Sequence, residues 1–133
     1  MSATGDPAAL PAALAGLRGC TLTRLIVDDA LTMVLVAAGR EASVRMDGRG
    51  RVTRAGLATE LAPDENAASL APVLALLYEH VAEVALDADG TLALRFGGGA
   101  ALEMLPHDHQ IAWVVRCGAA SAACIAEGRV VWE

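Results

Sequence analysis

The sequence contains no lysine; all ten of its basic residues are arginine, set against sixteen acidic residues for a formal net charge of -6. Binding a nucleic-acid backbone through counterion release needs a positive face, so general DNA or RNA binding is excluded. Aromatics are scarce as well: two tryptophans, one tyrosine and one phenylalanine. That number cannot build a stacking platform for single strands. Three cysteines, Cys20, Cys117 and Cys124, form an odd set without C-x-x-C spacing. Neither a disulfide framework nor a zinc knuckle follows from them, and a reducing, cytoplasmic compartment is expected. The uncharged run from Asn66 to Tyr78 is too short for a bilayer and carries Pro72. The chain is therefore expected to meet no membrane. Its opening residues place Asp6 ahead of the apolar part and have no basic segment, which argues against a secretory signal.

Apolar side chains are abundant. Hydrophobic residues make up 55% of the 133 positions and the mean hydropathy is +0.45. One domain of this length can close one core, and the apolar surplus is expected to face a partner, most simply a second copy in a homodimer. Alternation with period two marks strands. In "LTMVLV", Leu31, Met33 and Leu35 share a face; in "TLALRF", Leu92, Leu94 and Phe96 do the same. Each run follows a strand-like segment and an acidic turn, Asp28-Asp29-Ala30 or Asp87-Ala88-Asp89-Gly90, and precedes a third alternating stretch. Val44 and Met46 then correspond to Leu102 and Met104, as in a degenerate duplication of a three-stranded meander with copies about sixty residues apart.

Between the copies, Leu70, Val73, Leu74 and Leu77 recur at i, i+3, i+4 and i+7, with Ser69 as candidate N-cap and Pro72 in the first turn. That spacing predicts an amphipathic helix over about 70–79. The fold class expected is α+β: an antiparallel sheet of two meander-like repeats, 17–47 and 77–105, packed by that one long helix and finished by strands within 110–132. Residues 1–16 are expected to be flexible or to form a short helix from Ala8 to Leu17, ahead of a single domain over 17–133.

One dense cluster of ligand-type side chains stands out, "MLPHDHQIAW" from Met104 to Trp113. On an extended segment His107 and His109 point the same way, and Asp108 points oppositely. Acid–base catalysis by His107 or His109, with Asp108 as carboxylate, is the chemistry such a cluster could support. A metal would need a third ligand from His80, Glu103 or a cysteine; with no complete first shell in sight, no metal and no cofactor is assigned. Trp113 alternates with Ile111 and Val115 and is either core or the floor of an apolar pocket, with Met104 and Phe96 as companion ligand-binding candidates. No G-x-S-x-G is present, and Gly97-Gly98-Gly99 lies between strands, as a hairpin turn does, instead of opening a phosphate-binding helix. Arg45, Arg49, Arg51 and Arg54 are read as a solvated loop.

The stretches "LRGCTLTRLIVDDALTMVL", "LAPVLALLYEHV", "DGTLALRF", "AW" and "VVW" resemble an actinobacterial domain-of-unknown-function family numbered 6188. The resemblance spans Leu17 to Trp132. Family members carry Asp-Gly turns and an acidic residue before Ala-Trp, where this chain has Gly98-Gly99 and Ile111. The resemblance implies no activity and transfers no catalytic residue. By analogy it suggests an accessory or immunity-like role. Two functions are therefore expected in competition: a small non-catalytic binding protein that contacts a protein or an apolar small molecule, and a small cofactor-independent cyclase or isomerase.

Overall fold

The computed structural model describes residues 10–133 and the backbone of Ser2–Ala3. The chain forms strands β1 (Ser2–Ala3), β2 (Thr21–Val27), β3 (Leu31–Ala37), β4 (Arg40–Met46), β5 (Gly50–Arg54) and β6 (Leu57–Leu61) in its first half. The second half supplies β7 (Val81–Leu86), β8 (Leu92–Phe96), β9 (Ala101–Met104), β10 (Trp113–Cys117), β11 (Ala120–Ile125) and β12 (Arg129–Trp132). Two antiparallel sheets result, in the orders β1-β12-β11-β10-β4-β3-β2 and β6-β5-β9-β8-β7.

This corrects the expected α+β class: there are two sheets where one was expected, and no long helix packs on either. Among the described residues helix is confined to α1 (Ala12–Ala15), to a 3-10 turn (Ala67–Leu70) that runs into α2 (Ala71–Leu74), and to a 3-10 turn at Ala126–Gly128. The 70–79 helix fails because a strand takes its backbone. Tyr78 N–H donates to Leu22 O at 2.7 Å, Leu22 N–H donates to Glu79 O at 3.0 Å, and Thr21 bridges His80. Tyr78 sits at φ 72°, a left-handed residue that stops the turn. Leu70, Val73 and Leu76 are buried while Leu74 is 59% exposed, so burial follows a three-residue repeat instead of the amphipathic stripe. Asn66, not Ser69, caps the segment, accepting from Ala68 N–H at 3.0 Å. Ser69 instead accepts from Ala62 N–H at 2.8 Å and ties the helical segment to the end of β6. Of the expected N-terminal helix, Ala8 and Ala9 lie outside the described residues.

Each half contributes a meander to one sheet and further strands to the other: the hairpin β5-β6 from the first half, and β10-β11-β12 from the second. β2-β3-β4 is extended by β10, with Met46 opposite Trp113; β7-β8-β9 is extended by β5, with Met104 opposite Gly50. Both meanders carry a bulge at the same place, between Leu22 and Arg24 and between Val81 and Glu83. The chain changes sheet twice, at residues 47–49 and 105–112, and the two crossovers are bonded side by side. Asp47 and Gly48 N–H both donate to Ala112 O, at 2.9 and 3.1 Å, and Leu105 N–H donates to Arg49 O at 2.9 Å.

The inward faces of both sheets meet in one core that includes Leu22, Met33, Val44, Leu94, Leu102 and Trp113. Alternation dictates this layering: in β8 and β9 every second side chain is buried, and two such faces can be dried only against each other. Packing is close at the crossovers. A β-carbon on Gly50 would lie 2.6 Å from Met46 Sδ, so glycine there lets the second sheet approach the first.

Candidate functional site

The histidine corner is the longer of the two crossovers. His107 is half-buried, while Asp108 and His109 are exposed. His107 Nδ1 accepts from the His109 backbone N–H at 3.0 Å, which leaves the neutral ring its proton on Nε2. The His107 carbonyl accepts from Glu127 N–H at 2.9 Å and ties the corner to the turn before β12. The two rings stand 6.2 Å apart at 66°.

Trp113 has no exposed surface, and its Nε1–H donates to Gly90 O at 3.0 Å. Met104 and Phe96 are buried in the same core. With at most 1% of their surface exposed, these three side chains present no contact surface to a ligand in this conformation. Ile111 precedes β10 and is 46% exposed, so it does not share the buried face of Trp113. The His80 ring covers Gly97, where a β-carbon would strike it. Among the described residues no three His, Cys, Asp or Glu side chains are grouped to hold a metal ion.

Of the arginine run only Arg49 lies in a loop, the 47–49 crossover. Arg45 lies on β4, and Arg51 and Arg54 lie on β5. Each faces a carboxylate: Arg45 Nε meets Asp47 at 3.2 Å, Arg49 meets Glu65 at 2.6 Å, Arg51 meets Glu103 at 3.0 Å and Arg54 meets Glu79 at 3.2 Å. The Glu103 hydrogen bond, then its charge, raises the Arg51 pKa above its ordinary value. Asp28 and Asp89 close Asx-turns, accepting from Ala30 N–H at 2.8 Å and Thr91 N–H at 3.0 Å. These carboxylates and guanidiniums are thus committed to one another or to turns, and no free basic patch remains on this run.

The cysteines are free thiols. Cys20 Sγ donates to Gly16 O at 3.4 Å, and Cys124 is fully buried. Burial first, and the charge of Asp89 second, push the Cys124 thiol up from 9.0 to about 11. The folded protein therefore holds this proton more tightly than the unfolded chain does. Stability from this source is whole below about pH 9 and is lost as the pH rises through about 11, a loss on the order of 1–3 kcal/mol. Urea denaturation at about pH 8 and about pH 11 is expected to show this loss in the parent and not in Cys124→Ala. In the native parent at about pH 8, iodoacetamide should modify half-buried Cys117 and spare Cys124.

An apolar groove of about 220 Å³ lies elsewhere, between the end of β2 and the short helical segment. Leu25 and Val27 form one wall, Ala67, Ala71 and Leu74 the other, and Leu31 and Leu70 close the floor. β2 is the last strand of its sheet, and past its bulge it runs Arg24-Leu25-Ile26-Val27 with β3 as its one strand neighbour among the described residues. Ile26 is 41% exposed and Val27 49%.

The ladder phase shows which backbone groups are free. Asp28 N–H donates to Ala30 O at 3.1 Å, which makes 28 and 30 a hydrogen-bonded pair. Alternation then bonds Ile26 to Thr32 and turns the N–H and C=O of Leu25 and Val27 outward, along the open edge. The residues that line the groove are therefore the ones that offer free backbone. The sequence signal for this edge is "RLIVDD", three consecutive apolar residues between an arginine and two aspartates. It reads as a strand, but which strand ends a sheet is a matter of topology.

Fold and edge together define an all-antiparallel, two-sheet domain in which, among the described residues, the edge strand β2 runs beside an apolar groove. The chain belongs to the family of unknown function DUF6188, whose profile it matches over residues 13–133. No curated protein and no solved structure matches it significantly.

Proposed function

We propose that this protein is a non-catalytic interaction module that accepts an extended, apolar segment of a protein along β2. The observation that carries this reading is the coincidence of free backbone groups and an apolar groove at Leu25 and Val27. Strand addition uses both at once: main-chain hydrogen bonds give affinity, and a groove for alternate side chains gives specificity. Edge strands are ordinarily blunted by charge, shortness or bulging. Here the bulge comes early, between Leu22 and Arg24, and leaves Leu25-Ile26-Val27 in unbroken register and uncharged. At about 220 Å³ the groove is smaller than the roughly 300–1,000 Å³ of small-molecule sites, which favours side chains of a strand over a separate apolar ligand.

The test is fluorescence anisotropy with labelled peptides that alternate Val or Ile with Thr. Binding with Kd in the range of about 1–100 μM is expected. Leu74→Glu places a charge at the mouth of the groove from a position that is 59% exposed, so the fold should be kept while affinity falls by about tenfold or more. If no peptide binds and the amides of Leu25 and Val27 exchange equally fast with and without peptide, the reading is wrong.

A further inference from the structure

We infer that the strand accepted by β2 is β2 of a second copy, paired antiparallel about a two-fold axis at Ile26; this rests on the strand-acceptor reading above and names its partner.

The phase of the free edge restricts the register. Outward backbone groups belong to Leu25 and Val27, so a pairing strand must bond to those residues and skip Ile26. Centring the two-fold on Ile26 meets that requirement. Leu25 of one copy exchanges both backbone bonds with Val27 of the other, Val27 does the same with Leu25, and the two Ile26 side chains meet at the axis. Shifting the centre to Leu25 or Val27 also satisfies the phase, but the charges separate the choices. With Ile26 at the centre, Arg24 stands opposite Asp28 of the second copy, twice over. With Leu25 at the centre Arg24 faces Ile26, and with Val27 at the centre Asp28 does.

Arg24 is exposed and forms no salt bridge among the described residues. The Asp28 side chain is 53% exposed, and its one cation, Arg45, stands 3.8 Å away. Arg24 is therefore available, and the half-exposed Asp28, whose Oδ1 closes its own turn, keeps its Oδ2, 3.8 Å from Arg45, to meet a second cation. Opposite charges directly across an antiparallel pair are favourable and like charges are not.

The pseudo-equivalent edge supplies an internal comparison. β7 occupies the same place in the other sheet, ends in the same kind of acidic turn, and carries its bulge in the same position. Asp87 N–H donates to Thr91 O at 2.9 Å, so its ladder has the same phase as β2. Self-pairing of β7 about Ala85 would set Glu83 against Asp87, acid against acid. The same architecture thus permits a two-fold at β2 and opposes one at β7. Pairing at β2 would cover Ile26 and Val27, place a second copy's Leu25 and Val27 beside the groove wall at Leu74, and join two seven-stranded sheets into one.

Sedimentation equilibrium on the full chain tests this. At about 100 μM the parent should show twice the chain mass, because association of this kind is set by protomer concentration. Arg24→Asp alone sets a second carboxylate against that of Asp28, and Asp28→Arg alone sets arginine against arginine. Each is expected to dissociate at least about tenfold more readily than the parent. An equimolar mixture of the two should recover the dimer, since each chain then offers the charge the other lacks. Ile26→Lys, which places two ammonium groups at the axis, should be a folded monomer by circular dichroism, with Leu25 and Val27 amides that exchange faster than in the parent.

A monomeric parent overturns the inference, as does a mixture that stays monomeric while both variants are folded. Peptide binding then separates the two readings. A monomer that binds the Val/Ile peptides in a Leu74-dependent way leaves the strand-acceptor function standing; a monomer that binds none overturns both.

Discussion

Trp113→Ala is expected to destabilise the fold by about 3–5 kcal/mol, the range for removing a fully buried large aromatic side chain. Trp113 opens β10 at the point where the chain has just crossed between sheets. It pairs with Met46 on one side and Cys124 on the other and is wholly inside the common core. Alanine there leaves a cavity lined by two sheets that cannot both collapse onto it. Trp113→Phe separates the polar contribution from the volume. It keeps most of the apolar contact but strips Gly90 O of its 3.0 Å donor, at an expected cost of about 1–3 kcal/mol. Urea denaturation of both variants measures the difference. A loss below about 1 kcal/mol for Trp113→Ala would mean that this side chain is not the packed centre of the core.

Gly90→Ala should cost about 2–4 kcal/mol, from a single added methyl group. Gly90 lies at φ 96° in the turn before β8, and a β-carbon there would overlap Gly128 O and stand 2.9 Å from Gly128 Cα. Gly128 belongs to the turn before β12, in the other sheet, so this contact closes one end of the sandwich. Two penalties add: a left-handed backbone for an L-residue, and a steric overlap with main chain that has no rotamer to move. Gly39→Ala isolates the first of them. Gly39 has φ 76° and open space around it, so its replacement should cost only about 1 kcal/mol. Equal losses at the two positions would show that the turns do not press on one another. Because Gly90 O also accepts from Trp113, the double variant Trp113→Phe/Gly90→Ala should depart from additivity.

The surface proposed above for association differs in kind from these positions. Trp113 and Gly90 hold the fold, and their substitution is read in stability. Arg24, Ile26 and Leu74 are accessible at the surface, and their substitution is read in association. His107, Asp108 and His109 belong to neither set: the corner spans the sheets and is held by backbone bonds at Leu105, Ala112 and the His107 carbonyl.

What the sequence by itself determined is local. Period-two alternation placed Leu31, Met33, Leu35, Leu92, Leu94 and Phe96 on buried faces, because a strand's pleat leaves no other way to segregate its side chains. The aspartate turns and the Gly97–Gly99 hairpin were legible for the same reason, since Asx-turns and tight reversals involve only neighbours. The helix was misread because four leucines and valines at helical spacing are a weak preference. Long-range bonds from Leu22 to Tyr78 and Glu79 outweigh it. Tertiary structure alone decided that the two meanders lie in separate sheets, that each is extended by strands from the other half, and that Trp113 is core. It also decided that β2 ends its sheet. Edge or interior is a property of a strand's neighbours, and "RLIVDD" carries no proline or lysine to mark an edge, so it reads alike in either place; only the lack of a neighbour past the bulge, among the described residues, leaves the backbone of Leu25 and Val27 facing outward.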